Sequence, residues 1–324
     1  MTTVLVSGAS GIVGYGILRS LRRSEAPLRL VSTTIYPDSV APAFSDVFEQ
    51  APPTSQDNYL DWLCATIRKH SVDLLIPAIE CDVYKWNENR PVLEATGAQL
   101  LLNNQTLIQT CQDKWRFYEA LIRHSPGLAI PSRIEGTFEE LVDDFSLPFL
   151  LKPRRGFGAR GIVRVESRAT FDEHRARLGD VLMAQPIVGT PDEEYTVSAF
   201  FDRDSILCCH MALRRRLSAE GFTQSAQVAV LEGVEEAIRE LGMKFNALGP
   251  TNFQFRAQRG ELKLLEINPR ISSATSIRSA FGYNESLMSL AFFLEHRRPP
   301  QPRIRKGSAI RYTEDYCFYD SDYL

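Results

Sequence analysis

The segments GPTNFQF (residues 249–255) and LKLLEINPR (residues 262–270), joined by a short polar stretch containing RAQRG, leave room for little but two adjacent strands. Strand side chains alternate between faces, so Glu266 and Asn268 share one face and Gln254 on the neighbouring strand can join them. Three oxygen donors of this kind suit a hard cation. Mg2+ takes one or two carboxylates together with phosphates and water, and Mn2+ accepts similar oxygen ligands. Arg270 adds a planar cationic fork suited to a phosphate or an acyl phosphate. A lone strand-end glutamate beside an arginine reads as a surface ion pair worth under about 1 kcal/mol. The company of Gln254, Asn268 and Arg270 is what selects a metal site.

The remainder divides by rhythm. A buried strand at Val4–Ser7, a glycine turn, a helix carrying Ile17, Leu18 and Leu21, strands at Leu28–Ile35, Asp73–Ile79 and Gln99–Leu102, and a helix at Tyr59–His70 alternate in βαβα order. This predicts a parallel sheet covered by helices within residues 1–105. From Asn104 the pattern becomes α+β. A helix over Thr106–His124 ends before Pro126 and Pro131; a helix at Thr137–Asp144, a strand at Pro148–Lys152, the hairpin RRGFGARG and a strand at Ile162–Val165 follow. Further strands are expected near Val181–Gln185, Tyr195–Phe201, Ile206–Leu213, Thr251–Arg256 and Leu262–Ile267, with helices near Gln227–Leu241 and Asn284–His296.

Composition narrows the function. With 324 residues, 44% hydrophobic, the chain can bury a large core in two or three units. A formal charge of −3 argues against a nucleic-acid or membrane surface, and no apolar run approaches the roughly 20 residues of a membrane span. Six scattered cysteines without a C-x-x-C pair, and an N-terminus without a leader pattern, point to reduced thiols and a cytoplasmic protein.

Gly8, Gly11 and Gly14 form G-x-x-G-x-x-G between a strand and a helix, a context in which a dinucleotide pyrophosphate can be held. No acid ends the second strand before Asp38, and the chain has neither a Tyr-x-x-x-Lys pair nor a Walker-type loop. Tight packing of helix on strand is the favoured reading, with a NAD(P)-dependent reductase as the alternative.

With DKWRFYEAL (113–121), PFLLKPRRGFGARGI (148–162) and MAQPIVGTPDEEYTV (183–197) added to the strand pair, the chain resembles ATP-grasp proteins. In pattern it is similar to the nucleotide-binding halves of the carbamoyl-phosphate synthetase large subunit and to stand-alone carboxylate–amine ligases, over about Lys114–His296. The resemblance implies a Rossmann-like domain (1–105), an N-lobe with a glycine-rich flap (106–189) and a C-lobe with the metal site (190–324), ATP lying between the lobes. It places Lys114 and Lys152 on phosphates, Gly156, Gly158 and Gly161 in the flap, Gln185, Pro186, Ile187 and Val188 at the adenine edge, and Glu194 on the ribose. The synthetase pattern has an acid where Gln185 stands.

Mg2+ would sit on Gln254, Glu266 and Asn268, with Lys152 and Arg270 as the catalytic cations. Arg214 and Arg216, on one strand face, read equally as a reach to the γ-phosphate or the substrate carboxylate and as a solvated basic edge strand. Ser272 and Ser273 would lie at the acceptor end. Glu80 and Asp82, in the loop after the third strand, read first as solvated loop acids, with capture of an amino group as the alternative. The implied activity is phosphoryl transfer from ATP to a small carboxylate, such as that of an amino acid, giving an acyl phosphate that an amine attacks. The partners are then small molecules, a homodimer is compatible, and a regulator that keeps the fold without turnover is the remaining alternative.

Overall fold

A computed structural model describes residues 1–156, 160–218 and 221–318. Strands β1 (Thr2–Val6), β2 (Leu28–Thr34), β3 (Val47–Gln50), β4 (Leu74–Ile76) and β5 (Gln99–Leu100) form an all-parallel sheet in the order β3-β2-β1-β4-β5. A parallel sheet must be covered on both faces. Val4 and Val6 pack under Ile17, Leu18 and Leu21 of the helix Ile12–Arg22, while Leu5 faces Leu63 and Ile67 of the helix Tyr59–His70 and Trp86 of the helix Glu80–Glu88. The sequence reading has no strand at β3, whose VFEQ is short and half polar, and it leaves Glu80 in a loop, whereas Glu80 opens a helix.

The glycine turn is a packing device. Gly8 has φ +58°, and a Cβ on Gly14 would lie 2.5 Å from the Gly8 carbonyl oxygen and 2.6 Å from Ala9 Cα. Gly14→Ala is expected to destabilise the protein by about 1–3 kcal/mol through overpacking. The urea midpoint measures this, and an unchanged midpoint would show that helix and turn are not in contact.

Residues 105–124 form two helices, Gln105–Cys111 and Lys114–His124, where one was expected. Asp113 breaks the run: its side chain accepts from the Trp115 N–H (2.9 Å) and pairs with Arg154 (2.8 Å), so it caps the second helix and pins it to the next unit. That unit is the sheet β7-β6-β8, built from β6 (Phe149–Pro153), β7 (Val163–Val165) and β8 (Leu182–Pro186), with its own small core of Leu141, Phe149, Leu151, Phe171 and Leu182.

The largest sheet is antiparallel. Strands β9 (Glu194–Phe201), β10 (Leu207–Leu217), β11 (Thr223–Ala229), β12 (Gly249–Gln258), β13 (Glu261–Asn268) and β14 (Ser308–Ile310) run in the order β13-β12-β9-β10-β11-β14. One face carries Val197, Phe201, Phe253 and Phe255 against Ile238 and Leu241 of the helix Val234–Lys244. The expected helix start at Gln227 is overturned, since TQSAQVA pairs with β10 and the helix waits until Gly233, at φ +72°, has turned the chain.

The N-terminal unit is fixed onto this sheet. Helix Ile12–Arg22 shares one hydrophobic cluster with Ile271, Ala274, Ile277 and Tyr283, and Asn103 bridges to Thr251 Oγ1 (2.7 Å) and the Leu248 N–H (2.9 Å). Among the described residues no helix is long and apolar enough to cross a membrane.

Candidate active site

A cavity of about 410 Å3 lies where the three sheets meet. Its floor is the second face of the largest sheet, and the register lays polar residues on it in rows. Arg215, Glu194 and Arg256 stand opposite one another across β10, β9 and β12; Thr196, Gln254 and Glu266 form the next row; Ser198, Asn252 and Asn268 form the third. The convergence expected of Gln254, Glu266 and Asn268 is therefore present, and all three line the cavity.

Their bonds are specific. Asn268 Nδ2 donates to Glu266 Oε1 (2.9 Å), Asn268 Oδ1 accepts from Arg270 (3.2 Å), and Gln254 Oε1 accepts from Arg215 (2.7 Å). Glu266 Oε2 has no hydrogen-bond partner among the described residues. One carboxylate ringed by Arg215, Arg270 and Lys152 is a poor trap for a bare divalent ion, yet it suits one delivered on a triphosphate that supplies most of the negative charge. The donor set thus fits Mg2+ in company with a nucleotide.

Lys114 and Lys152 both line the cavity. Lys114, first residue of its helix because Asp113 caps it, donates to the Gly156 carbonyl (3.0 Å). Lys152 on β6 donates to Gln185 Oε1 (2.9 Å), and Gln185 Nε2 donates to Ser132 (2.7 Å). Gln185 therefore stands behind Lys152 as a neutral support. Burial, with Lys114 and Arg256 nearby, pulls the Lys152 ammonium down to about 8, although Glu266 and Glu194 act the other way.

Pro186, Val188 and Gly156 line the cavity, Ile187 and Gly161 do not, and Gly158 lies outside the described residues. Ser272, Ser273 and Glu80 also line it. Glu80 is ion-paired with Arg270 across the junction of the N-terminal unit and the large sheet. Burial works to raise its carboxyl, but Arg270 outweighs that and holds it below the usual range.

One expectation is corrected. Arg214 and Arg216 share the face of Ala212, which packs in the helix-covered core, and they point away from the cavity; Arg214 bonds Gln227 and Arg216 bonds Asp192. The strand phase gives the cavity to the residue between them. Arg215, 5% exposed, was missed because three consecutive arginines carry no phase of their own.

Glu194, expected at the ribose, lines the cavity. Arg215 donates twice to its Oε1 (3.2 and 3.0 Å) and Arg256 twice to its Oε2 (3.2 and 2.9 Å), which fills the roughly four acceptor positions of a carboxylate. In this arrangement it holds two guanidinium groups against the cavity wall. Arg160 and Asn252 line the cavity as well and were likewise missed.

Arg215→Ala is expected to weaken ATP binding at least about tenfold and to destabilise the fold by about 3 kcal/mol, since a buried glutamate loses half its partners. The double variant Arg214→Ala, Arg216→Ala should bind ATP within twofold of wild type. Calorimetric titration distinguishes the two, and equal losses would reverse the strand phase.

A small antiparallel sheet and a large antiparallel sheet enclosing a lysine-, arginine- and glutamate-lined cleft are the arrangement of the ATP-grasp fold, and this chain has that fold. Residues 181–316 match the family described as ATP-grasp in the biosynthetic pathway with Ter operon. The chain is 29% identical over 213 residues to the carbamoyl phosphate synthase large chain of Methanosarcina acetivorans, a match covering 59% of this chain and 19% of that protein. It thus spans about one fifth of the curated relative's length. Among solved structures it is similar to N5-carboxyaminoimidazole synthetase from Staphylococcus aureus complexed with ADP (TM-score 0.72, 16% identity, 94% of this chain and 80% of that one). It is also similar to the biotin carboxylase domain of the Hydrogenobacter thermophilus 2-oxoglutarate carboxylase, crystallised with MgADP and bicarbonate (TM-score 0.71, 15% identity, 95% and 73%).

Proposed function

We propose that the protein is an ATP- and Mg2+-dependent ligase that activates a small carboxylate as an acyl phosphate for attack by an amine. The observation that carries this reading is the row geometry: Gln254 and Glu266 are direct cross-strand partners, Asn268 shares their face, and Lys114, Lys152, Arg215 and Arg270 surround the same cavity. Positioning and charge neutralisation supply most of the catalysis in phosphoryl transfer, so the reading needs no enzyme nucleophile.

Lys114 and Lys152 would bind the phosphates, the β8 end at Pro186 and Val188 would border the adenine, and Arg270 would meet the charge that develops on the transferred group. Mg2+, held by Gln254, Glu266 and Asn268, would neutralise phosphate oxygens when bound. The known neighbours support this assignment: one was crystallised with ADP and another with MgADP and bicarbonate.

The reductase alternative finds no support among the relatives and neighbours named above, which are carbamoyl phosphate synthase, N5-carboxyaminoimidazole synthetase and biotin carboxylase. Thermal denaturation with MgATP and, separately, NADPH tests the choice. A ligand at 100 times its Kd stabilises by about 2.7 kcal/mol, and only MgATP should do so. A shift with NADPH alone would overturn the reading. Nucleotide binding without acid-stimulated ADP release across a panel of amino acids, carboxylic acids and amines would favour the non-catalytic regulator.

A further inference from the structure

Behind the cavity wall lies a charge that the proposed chemistry does not use. Arg278, in the helix Thr275–Ala280, is 0% exposed and pairs with the equally buried Glu285 (3.6 Å). A buried pair of this kind is weak evidence for stability, since desolvation consumes most of its attraction. What it accomplishes is visible in its other bonds. One guanidinium nitrogen donates to Ser272 Oγ; the other donates to Thr196 Oγ1 (2.9 Å) and Asn252 Oδ1 (3.0 Å).

These bonds fix the polarity of two cavity-lining side chains. Asn252 Oδ1 also accepts from Thr196 (2.7 Å), so its acceptor end is fully engaged inside the protein. The Nδ2 end has no protein partner among the described residues, and Asn252 lines the cavity directly opposite Asn268 in the β12–β13 register. Ser272 Oγ accepts from Arg278 and from the Ala274 N–H (3.3 Å), which occupies both lone pairs and leaves the hydroxyl proton to point outward. An amide and a hydroxyl that could ordinarily donate or accept are both made donors.

We infer that Asn252 and Ser272 form an uncharged carboxylate subsite, and that Arg278 is the positioning residue that sets its polarity. A group that only accepts hydrogen bonds satisfies both donors, which selects an ionised carboxylate over an ammonium. Glu285 balances the buried guanidinium, so the subsite adds no net charge. A singly charged acid then fits here, while Lys114, Lys152 and Arg270 attract the more highly charged triphosphate. The inference rests on the proposed ligase activity and names where its acid would sit.

Acetate serves as the probe, titrated by calorimetry into the full chain saturated with Mg2+ and a non-hydrolysable ATP analogue. Wild type is expected to bind acetate saturably in the millimolar range and to ignore methylammonium. Asn252→Asp keeps the inward acceptor and turns the donor edge into an acceptor; it should weaken acetate at least tenfold. Ser272→Ala should weaken acetate about three- to tenfold. Arg278→Lys retains the charge opposite Glu285 but cannot span three acceptors, and should lose acetate as Asn252→Asp does.

Acetate binding unchanged in Asn252→Asp, or absent in nucleotide-loaded wild type, overturns the inference and leaves the ligase reading standing. Failure of the analogue itself to bind overturns that reading instead. Should Arg278→Lys prove unfolded by circular dichroism, the two cavity variants decide the matter.

Discussion

Glu266→Gln is expected to abolish the Mg2+-dependent part of ATP binding and to lower ATP cleavage roughly 10^3-fold, the several kcal/mol that a metal supplies to phosphoryl chemistry. The substitution is nearly isosteric. Its amide oxygen can still accept from Asn268 Nδ2, so the β12–β13 hairpin has no reason to open. What disappears is the single negative charge among the three proposed ligands, in a wall that already carries Arg215 and Arg270. Calorimetric titration of ATP with and without MgCl2 provides the measurement. In wild type Mg2+ should tighten binding; in the variant the two curves should coincide. If Mg2+ tightened both proteins equally, Glu266 would have to leave the site.

The same hairpin shows what the sequence makes legible. Glu266 and Asn268 could be placed on one face because strand alternation is exact, and Gln254 could be added because the connection to its partner strand is short. The rule reaches Asn252 too, two residues before Gln254, but an asparagine without a companion motif gives no reason to apply it. Phase is harder where every residue looks alike: in LRRRL only the pairing of Arg215 with Glu194 shows which arginine turns inward. Arg278 was invisible for a different reason. On a short helix an arginine reads as solvated, and its burial depends on Glu285, Thr196 and Asn252, which come from three other elements.

Element boundaries failed where local signals were weak. The strand Thr223–Ala229 contains no large apolar residue except Val228, so nothing in it announced a strand; its place was decided by hydrogen bonding to β10 on one side and β14 on the other. The break at Asp113 falls within an amphipathic run that reads as continuous, yet a capping carboxylate tied to Arg154 outweighs that periodicity. This break matters for the site. It starts a helix at Lys114 and brings that lysine to the Gly156 carbonyl just past the end of β6.

ATP affinity is expected to fall above pH 8 by up to about tenfold per pH unit, the limit for loss of one proton from the free protein. The cause is Lys152, whose ammonium is lowered to about 8 by burial and by Lys114 and Arg256, with the neutral Gln185 as its hydrogen-bond partner among the described residues. In the unfolded chain the group titrates near its ordinary value of 10.5. Between about 8 and 10.5 the folded protein therefore binds fewer protons than the unfolded chain, and this group's contribution to stability rises with pH across that window. Below pH 8 it is a constant penalty, at most roughly 3 kcal/mol and less once residual solvent contact is allowed for.

Opposite effects on binding and folding follow from one substitution. Lys152→Met should raise the stability of the nucleotide-free protein at pH 7 while weakening ATP at least about thirtyfold, a trade typical of strained functional groups. Lys152→Arg stays charged and should remove the fall in affinity between pH 8 and 9.5. Gln185→Glu, which places a carboxylate against the ammonium, should move that fall to higher pH. Urea denaturation and calorimetric titration across pH 7–9.5 read all three variants. An unaltered pH profile in Lys152→Arg would assign the titration to another group.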